Sequence, residues 1–420
     1  MKNVKSVNYL IYEIAEYILA LCMILNCRAM WLYNPYYGHK FAMVVNVSCI
    51  CSALFCAMLK WKKNKKNLNA IYMSLFWILY ATIFIVATFY NIKNFISFCL
   101  VVIVLMFYYK VCCNKSVIPS ILFKYSNLML IIATISLVIW LFGQIMGIIK
   151  PTGYIDTIWS YTGNPISVRS FYGIQFWPQT ITTFAGFDGV FPRNSAFFAE
   201  TPMAAFQFVL AFMIESLLKQ RKNLKKMILL LCAIVSTFST TAYLIAIIVL
   251  TVLYITGKPK LKLIEIVRII SIPTLAIIAY LVAYSMLMEK MGNRSGTIRV
   301  DDFVVGFNAW KDAPIFGHGY ENNDILKQYM QSWRSVNSGF SNALMQILAQ
   351  GGVFLFLPYA IAFLIGIKNA IKSRRVLYII FSFCFVIAFA LNLISYQYIV
   401  ILIAMFMLNY KPDSRNRIDN

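Results

Sequence analysis

Lys219-Gln220-Arg221-Lys222-Asn223-Leu224-Lys225-Lys226 leads into an apolar run at 227–237, a polar break at Ser236-Thr237-Phe238-Ser239-Thr240-Thr241 and a second apolar run at 241–256. Lys258-Pro259-Lys260-Leu261-Lys262 follows. Both basic flanks belong on the cytoplasmic side of a membrane, because Lys and Arg are retained in cytoplasmic loops. The chain must therefore cross an even number of times between them. Each run is shorter than the roughly 20 residues that a spanning helix needs. The Ser/Thr-rich break is thus expected to turn the chain between two short helices, or two half-helices that do not reach the far surface.

The same rule orders the rest of the chain. Of 420 residues, 61% are hydrophobic and 13% charged, and mean hydropathy is +0.72. Soluble chains carry about a quarter charged residues, so this is a polytopic membrane protein. Further apolar runs lie at 9–33, 41–59, 69–90, 95–109, 127–149, 196–218, 264–286, 341–367, 376–391 and 395–409, making about twelve expected transmembrane helices. The run at 9–33 holds Glu13 and Glu16, is too long for a signal-peptide core and has no small-residue cleavage site, so it reads as an uncleaved first span. Of the 38 Lys and Arg, 26 fall in the termini and in the loops at 60–66, 110–124, 219–226, 258–268 and 368–375. Both termini are accordingly expected in the cytoplasm. No polar stretch is long enough to fold a core alone. The expected fold is all-α, a single membrane domain over 1–420.

A net charge of +23 invites a nucleic-acid reading, but the charge is split into short clusters between apolar runs and forms no contiguous basic face. The ten cysteines all lie in apolar runs or on the cytoplasmic side, so the outer face is built without disulfides. Cys112 and Cys113 have no second pair at zinc spacing. No GxxxxGK[ST] loop occurs. Paired Gly/Pro-interrupted helices, expected of an inverted-repeat transporter, are not seen.

Two polar stretches, 150–195 and 287–340, fall on the extracytoplasmic side, and function concentrates on loops carried by a rigid scaffold. The first ends in Phe191-Pro192-Arg193-Asn194-Ser195-Ala196-Phe197-Phe198-Ala199-Glu200-Thr201-Pro202 and runs into a span. Arg193 and Glu200, seven apart, share a face if this segment is helical; Pro202 weighs against full helicity. An interfacial arginine snorkelling to headgroups beside a capping glutamate is the plainer reading.

The second stretch carries Gly292-Asn293-Arg294-Ser295-Gly296-Thr297-Ile298-Arg299 and Pro314-Ile315-Phe316-Gly317-His318-Gly319-Tyr320. Arginine beside glycine turns suits phosphate, because guanidinium bonds are bidentate and bare glycine lets backbone amides approach. His318 is equally a structural loop residue or an acid/base group. Ile325, Leu326, Tyr329, Met330 and Trp333 follow helical spacing, for a helix lying on the membrane surface or packed on the spans.

These motifs resemble the O-antigen polymerase/ligase superfamily over 190–365. The pattern is Arg-Asn-Ser-x-Phe-x-x-Glu-x-Pro at 193–202, a Ser/Thr-rich break some forty residues on, Arg299…Trp310…Pro314-x-x-Gly317-x-Gly319, and Ser341-Asn342 running to Gly351-Gly352. The resemblance implies an all-helical membrane glycosyltransferase acting on glycans carried by polyprenyl pyrophosphate. It implies that Arg193 and Arg299 bind the pyrophosphate, and that Glu200 orients an arginine or accepts the acceptor proton. Arg294, His318, Asn194 and Tyr320 are the expected substrate-binding residues around them. The ligase branch carries a histidine where Ser341 stands, which favours a Wzy-type polysaccharide repeat-unit polymerase, making O-antigen or capsule, over a ligase.

Because pyrophosphate is an activated leaving group, fixed positive charge can replace a metal, and neither metal nor cofactor is expected. Membrane lipid, a chain-length regulator and a flippase are the candidate partners, and a bacterial cytoplasmic (inner) membrane the expected location. A lipid-linked oligosaccharide flippase is the rival from another class, but a transporter would keep its loops short and its polar residues at mid-membrane depth.

Overall fold

The polar break turns the chain where its Ser and Thr lie. The computed structural model describes residues 2–61, 65–159, 164–184, 187–257, 294–334 and 339–411. Its helices, in chain order, are α1 (Lys2–Asn26), α2 (Gly38–Lys60), α3 (Lys65–Thr88), α4 (Ile92–Cys112), α5 (Ser120–Ile139), α6 (Thr201–Met213), α7 (Leu224–Ser236) and α8 (Thr240–Thr256). Then come α9 (Arg294–Asp312), α10 (Asn323–Tyr329), α11 (Ala343–Ser373), α12 (Val376–Leu391) and α13 (Tyr398–Asn409). The expected span at 264–286 and the Arg294 side chain lie outside the described residues.

Among the described residues, seven helices are long and apolar enough to cross a membrane: α1 to α6, with α6 running on through a π turn to Leu218, and α11. The apolar helices α8, α12 and α13 are shorter. The molecule is therefore a mostly helical membrane protein. At its centre is α6, whose apolar window is 94% buried against 17% for α3 at the periphery. A helix that is apolar on every face packs only when neighbours surround it, and α5, α7, α8 and α12 do so here.

The all-α expectation needs correction in the first polar stretch, which folds into five short strands. β1 (Gly153–Thr157), β2 (Ile166–Phe171) and β3 (Gln175–Trp177) form an antiparallel sheet, and β4 (Thr180–Phe184) and β5 (Phe187–Pro192) a separate hairpin. Thr180-Ile181-Thr182-Thr183-Phe184 is a β-branched run with high strand propensity. In the three-stranded sheet, Arg169 pairs with Trp177 across the register and lies over its ring at 5.2 Å.

The second stretch holds α9 and α10. The helix expected from the spacing of Ile325 to Trp333 is α10, shorter at its C-terminal end. Leu326 buries against Val305, Ala309 and Ala349, so α10 packs on the protein core.

A broken helix positions this second stretch. Within α11, Gly352 takes φ +59°, and a Cβ there would stand 2.2 Å from the Ile315 carbonyl oxygen. The loop 314–319 repairs the break. Val353 and Phe354 amides donate to the carbonyls of Pro314 and Ile315, both at 2.9 Å, while His318 and Gly319 amides donate to those of Ala349 (3.0 Å) and Gln350 (2.8 Å). Gly317 also has positive φ, and a Cβ on it would meet the backbone of Gln350 at 2.5 Å. Only glycine allows two backbones to approach this closely in this conformation.

Glu16, expected within the first span, is satisfied structurally. Tyr12 and Tyr108 hydroxyls donate to it at 2.7 Å, and Ser120 joins them. Glu13 pairs with Lys124.

Candidate functional site

Thirteen residues of helix reach about 20 Å at 1.5 Å per residue, less than the roughly 30 Å hydrocarbon layer. Helix α7 therefore ends short, and its last carbonyls need partners, because bare backbone is tolerated at membrane depth only where protein covers it. Arg193 and Asn194 supply them. The Asn194 amide donates to the Ser236 carbonyl at 2.9 Å, Arg193 Nε to the Thr237 carbonyl at 2.9 Å, and an Arg193 Nη to the Phe238 carbonyl at 3.2 Å. A cation at a helix C-terminus also opposes the macrodipole.

Asn194 is fully buried and bonded through both ends of its amide. Its Nδ2 donates to the hydroxyls of Ser236 (2.9 Å) and Ser136 (3.3 Å), and its Oδ1 accepts from Gln175 Nε2 (3.1 Å).

Arg299 reaches the same turn from the other stretch. Its guanidinium lies 3.4 Å from Thr241 Oγ1 and 3.5 Å from the Leu391 carbonyl, long distances at which hydrogen bonds are weak. Burial pulls its proton affinity below the usual arginine range, and the charges of Asp302 and Glu200 oppose this. Arginine stays charged throughout, so the result is a poorly solvated cation suited to an anionic ligand. The break at 236–241 is thus the shelf on which both expected arginines meet.

Glu200 is not on a helical face with Arg193. β5 ends at Pro192, Ala196 turns with φ +48°, and α6 starts only at Thr201, with Glu200 as its extended N-cap residue. Its carboxylate instead receives Arg28 Nη1 at 2.7 Å. Arg28 was not among the residues expected from sequence. It has φ +59°, its carbonyl accepts from the Ala199 amide at 2.9 Å, and its guanidinium lies 4.4 Å over the Trp159 ring. The one available signal was its position, a lone cation just past the end of α1. The Trp159 ring lies tilted against that of Tyr33 (4.7 Å between centroids), an aromatic floor under the Arg28 guanidinium.

His318 Nε2 lies 2.8 Å from the Ala309 carbonyl, tying the glycine loop to α9. Tyr320 is buried among Phe95, Phe98 and Tyr396, with ring centroids 4.6–5.3 Å away. The next residue, Glu321, has φ +56° and an exposed side chain.

Ser341 donates its amide (2.8 Å) and hydroxyl (2.6 Å) to Asp302 Oδ2, while buried Arg334 holds Asp302 Oδ1 at 2.6 Å and Asp301 at 2.9 Å. This network fastens α9 to the start of α11. Among the described residues, no group of three or more His, Cys, Asp or Glu is arranged to hold a metal ion.

The arrangement offers an anion two guanidinium groups on one shelf, with a carboxylate–guanidinium pair beside it. No curated protein matches the chain. The matched family segment begins after Arg193 and Glu200 and takes in Arg299, His318, Tyr320, Glu321 and Ser341. Residues 226–360 match the O-Antigen ligase family, in agreement with the O-antigen polymerase/ligase superfamily that the motifs resemble.

Proposed function

We propose that the protein is a polysaccharide polymerase of a bacterial cytoplasmic membrane. It transfers a polyprenyl-pyrophosphate-linked glycan onto a second lipid-linked repeat unit at the outer face, with a flippase delivering units and a regulator setting chain length. The family match supports a membrane glycan-processing role of the ligase or polymerase type on a lipid-linked glycan. The observation that carries the finer reading is the shared shelf: Arg193 bonded at Thr237 and Phe238, and Arg299 at Thr241. The proposed topology has about twelve spans, cytoplasmic termini and the stretches 150–195 and 287–340 outside.

A hydroxyl of the acceptor unit attacks the anomeric carbon, and the bond from that carbon to the pyrophosphate oxygen breaks. Arg193 and Arg299 stabilise the charge gathering on the departing pyrophosphate, which fixed donors in a water-poor site do without reorganising. Arg294 adds a further phosphate contact. Asn194, His318 and Tyr320 hold these groups in place around the sugar. Beside the shelf, Leu137, Trp140, Leu231 and Val235 line an apolar groove that runs up to Ser236, suited to the polyprenyl chain. No metal is required in this scheme, and full activity in EDTA is the expected result.

The deciding experiment supplies purified lipid-linked repeat units to the protein in liposomes. A ladder of products is expected. Transfer of one glycan only to a lipid-core acceptor identifies a ligase, and movement between leaflets without new linkages identifies a flippase. Ser341, in the position where the ligase branch has histidine, favours the ladder.

A further inference from the structure

Helix α9 is built inside out for a segment bathed in water. Its carboxylates point inward: Asp301 and Asp302, 8% and 0% exposed, are held by Arg334, and the Ser341 hydroxyl donates to Asp302. Val305 and Ala309 share that inner face with Leu326 and Ala349, and a Cβ on Gly306 would stand 2.5 Å from that of Met345. The opposite face carries Val300, Phe303, Val304 and Phe307, all exposed, the two phenylalanines at 41% and 49%. Their spacing of three, four and seven residues places them in one stripe. Rolling the helix to hide that stripe would break the buried ion pairs on its other side.

In water, a contiguous apolar stripe on a helix with buried carboxylates is unfavourable on both faces. In a bilayer the same order is the expected one, polar groups toward the protein and apolar groups toward lipid. Helix α9 is nevertheless no span. Its 19 residues hold Arg294, Arg299, Asp301, Asp302, Lys311 and Asp312, and the stripe from 300 to 307 covers only about 12 Å at 1.5 Å per residue. Thr297 is exposed at one end of it and Asn308 and Lys311 at the other, the pattern of a helix lying in the interface.

The neighbouring element shows which medium this face meets. The chain after α9 docks on α11, with the Val353 and Phe354 amides donating to the Pro314 and Ile315 carbonyls, and both Ile315 and Val353 are exposed there. From Val353 the exposed row runs on through Leu357, Ile361 and Leu364, the outward face of a helix long enough to cross a membrane. The stripe on α9 thus continues, past Ile315, the lipid-facing side of α11.

We propose that α9 is seated in the bilayer, with Val300, Phe303, Val304 and Phe307 among the acyl chains of one leaflet, the outer one in the topology proposed above. A lipid surface is the partner of this face. The membrane-surface helix that the spacing at 325–333 suggested is then α9, one element earlier, while α10 packs on the core. Arg299 immediately precedes the stripe, so the depth of α9 in the leaflet sets the depth of its guanidinium. Its contacts to Thr241 and the Leu391 carbonyl, at 3.4 and 3.5 Å, are too long to hold it firmly. The lipid seat and the buried pairing of Arg334 with Asp301 and Asp302 fix its position instead.

The test uses the full-length protein in phosphatidylcholine–phosphatidylglycerol vesicles, with the exposed Cys51 and Cys232 replaced by serine. A nitroxide is attached at Val304→Cys, and the signal of the labelled parent is subtracted. Collisions with oxygen, which concentrates in hydrocarbon, are compared with collisions with a water-soluble nickel chelate. Leu364→Cys on α11 and Lys327→Cys on α10, both exposed positions, serve as the lipid and water references. At Val304→Cys, nickel collisions are expected several-fold below the water reference and oxygen collisions close to the lipid reference. Adding Phe303→Asp and Phe307→Asp is expected to raise the nickel collisions toward the water reference. Nickel access at Val304→Cys equal to that at Lys327→Cys overturns the proposal. So does a label closed to both reagents, as under a protein neighbour, or dipolar broadening from a second copy. Nickel collisions that the two aspartates leave unchanged also overturn it. No substrate enters the measurement, so its result stands apart from the polymerase reading.

Discussion

Arg28 and Glu200, 172 residues apart, close a 2.7 Å ion pair that joins the end of the first span to the start of the central helix. Backbone bonds on either side make the junction double, with the Met30 amide on the Phe197 carbonyl (2.8 Å) and the Ala199 amide on that of Arg28 (2.9 Å). With side chains 9% and 17% exposed, the pair is largely shielded from water. Removing one partner strands the other, at a cost of about 3 kcal/mol, the low end for a buried pair. Glu200→Gln and Arg28→Met should each lower the unfolding temperature in detergent. Together they should cost less than the sum, because neighbours in one interaction are not additive. Strict additivity would show that the pair is not coupled.

The two shelf arginines should separate in stability but not in product. Arg193→Ala and Arg299→Ala should both leave the protein in the membrane and abolish polymer, since losing one such donor costs about 10² to 10³ in rate. Only Arg193→Ala should also lower thermal stability, because Arg193 holds two carbonyls of the turn at 2.9 and 3.2 Å whereas the Arg299 contacts are 3.4 and 3.5 Å. Normal chain lengths in both variants, measured on gels of extracted polysaccharide, would sink the role given to them.

Gly352→Ala should be among the most damaging small substitutions. The new methyl would fall 2.2 Å from the Ile315 oxygen at a φ of +59°, so the loop 314–319 must leave the break in α11. Faster proteolysis between α9 and α10, with loss of polymer, is the expected readout. A variant as protease-resistant as wild type would show that the loop is not held there.

Arg334 pairs with both Asp301 and Asp302 in a buried site, so Arg334→Ala should cost about 3–5 kcal/mol and deplete folded protein from the membrane. The site also sets a pH trend. Burial raises the Asp302 carboxyl above its ordinary value, with Ser341 and Arg334 pulling it back. The native state then keeps this proton to higher pH than the unfolded chain. Its contribution is fully present below the ordinary aspartate range and declines as pH rises through the raised value. A stability scan of wild type against Asp302→Asn should show this slope only in wild type.

How much of this was legible in the chain depends on the range of the interactions. The break at 236–241 could be read as a turn because basic clusters on both sides fix the parity of crossings. The helical face of Ile325 to Tyr329 could be read from spacing, though only packing on Val305 and Ala309 told core from membrane surface. The strands of 150–195 leave little mark in the sequence, because a short, half-exposed strand carries little signal of its own. The face that Arg193 and Glu200 would share in a helix does not form, because the chain turns at Ala196. Arg28 was invisible as a site residue, since nothing in the neighbouring sequence states that 28 and 200 lie near one another.

The chain alone is enough to place it in a membrane, to locate its polar stretches and to mark the arginines they carry. Those properties follow from composition, apolar run length and the placement of charge, all of which are local. It took the packing of distant segments to bring Arg193 and Arg299 to one turn and to give Glu200 to Arg28. Hydrogen bonds and ion pairs between distant segments depend on how helices pack, and packing is a property of the whole chain.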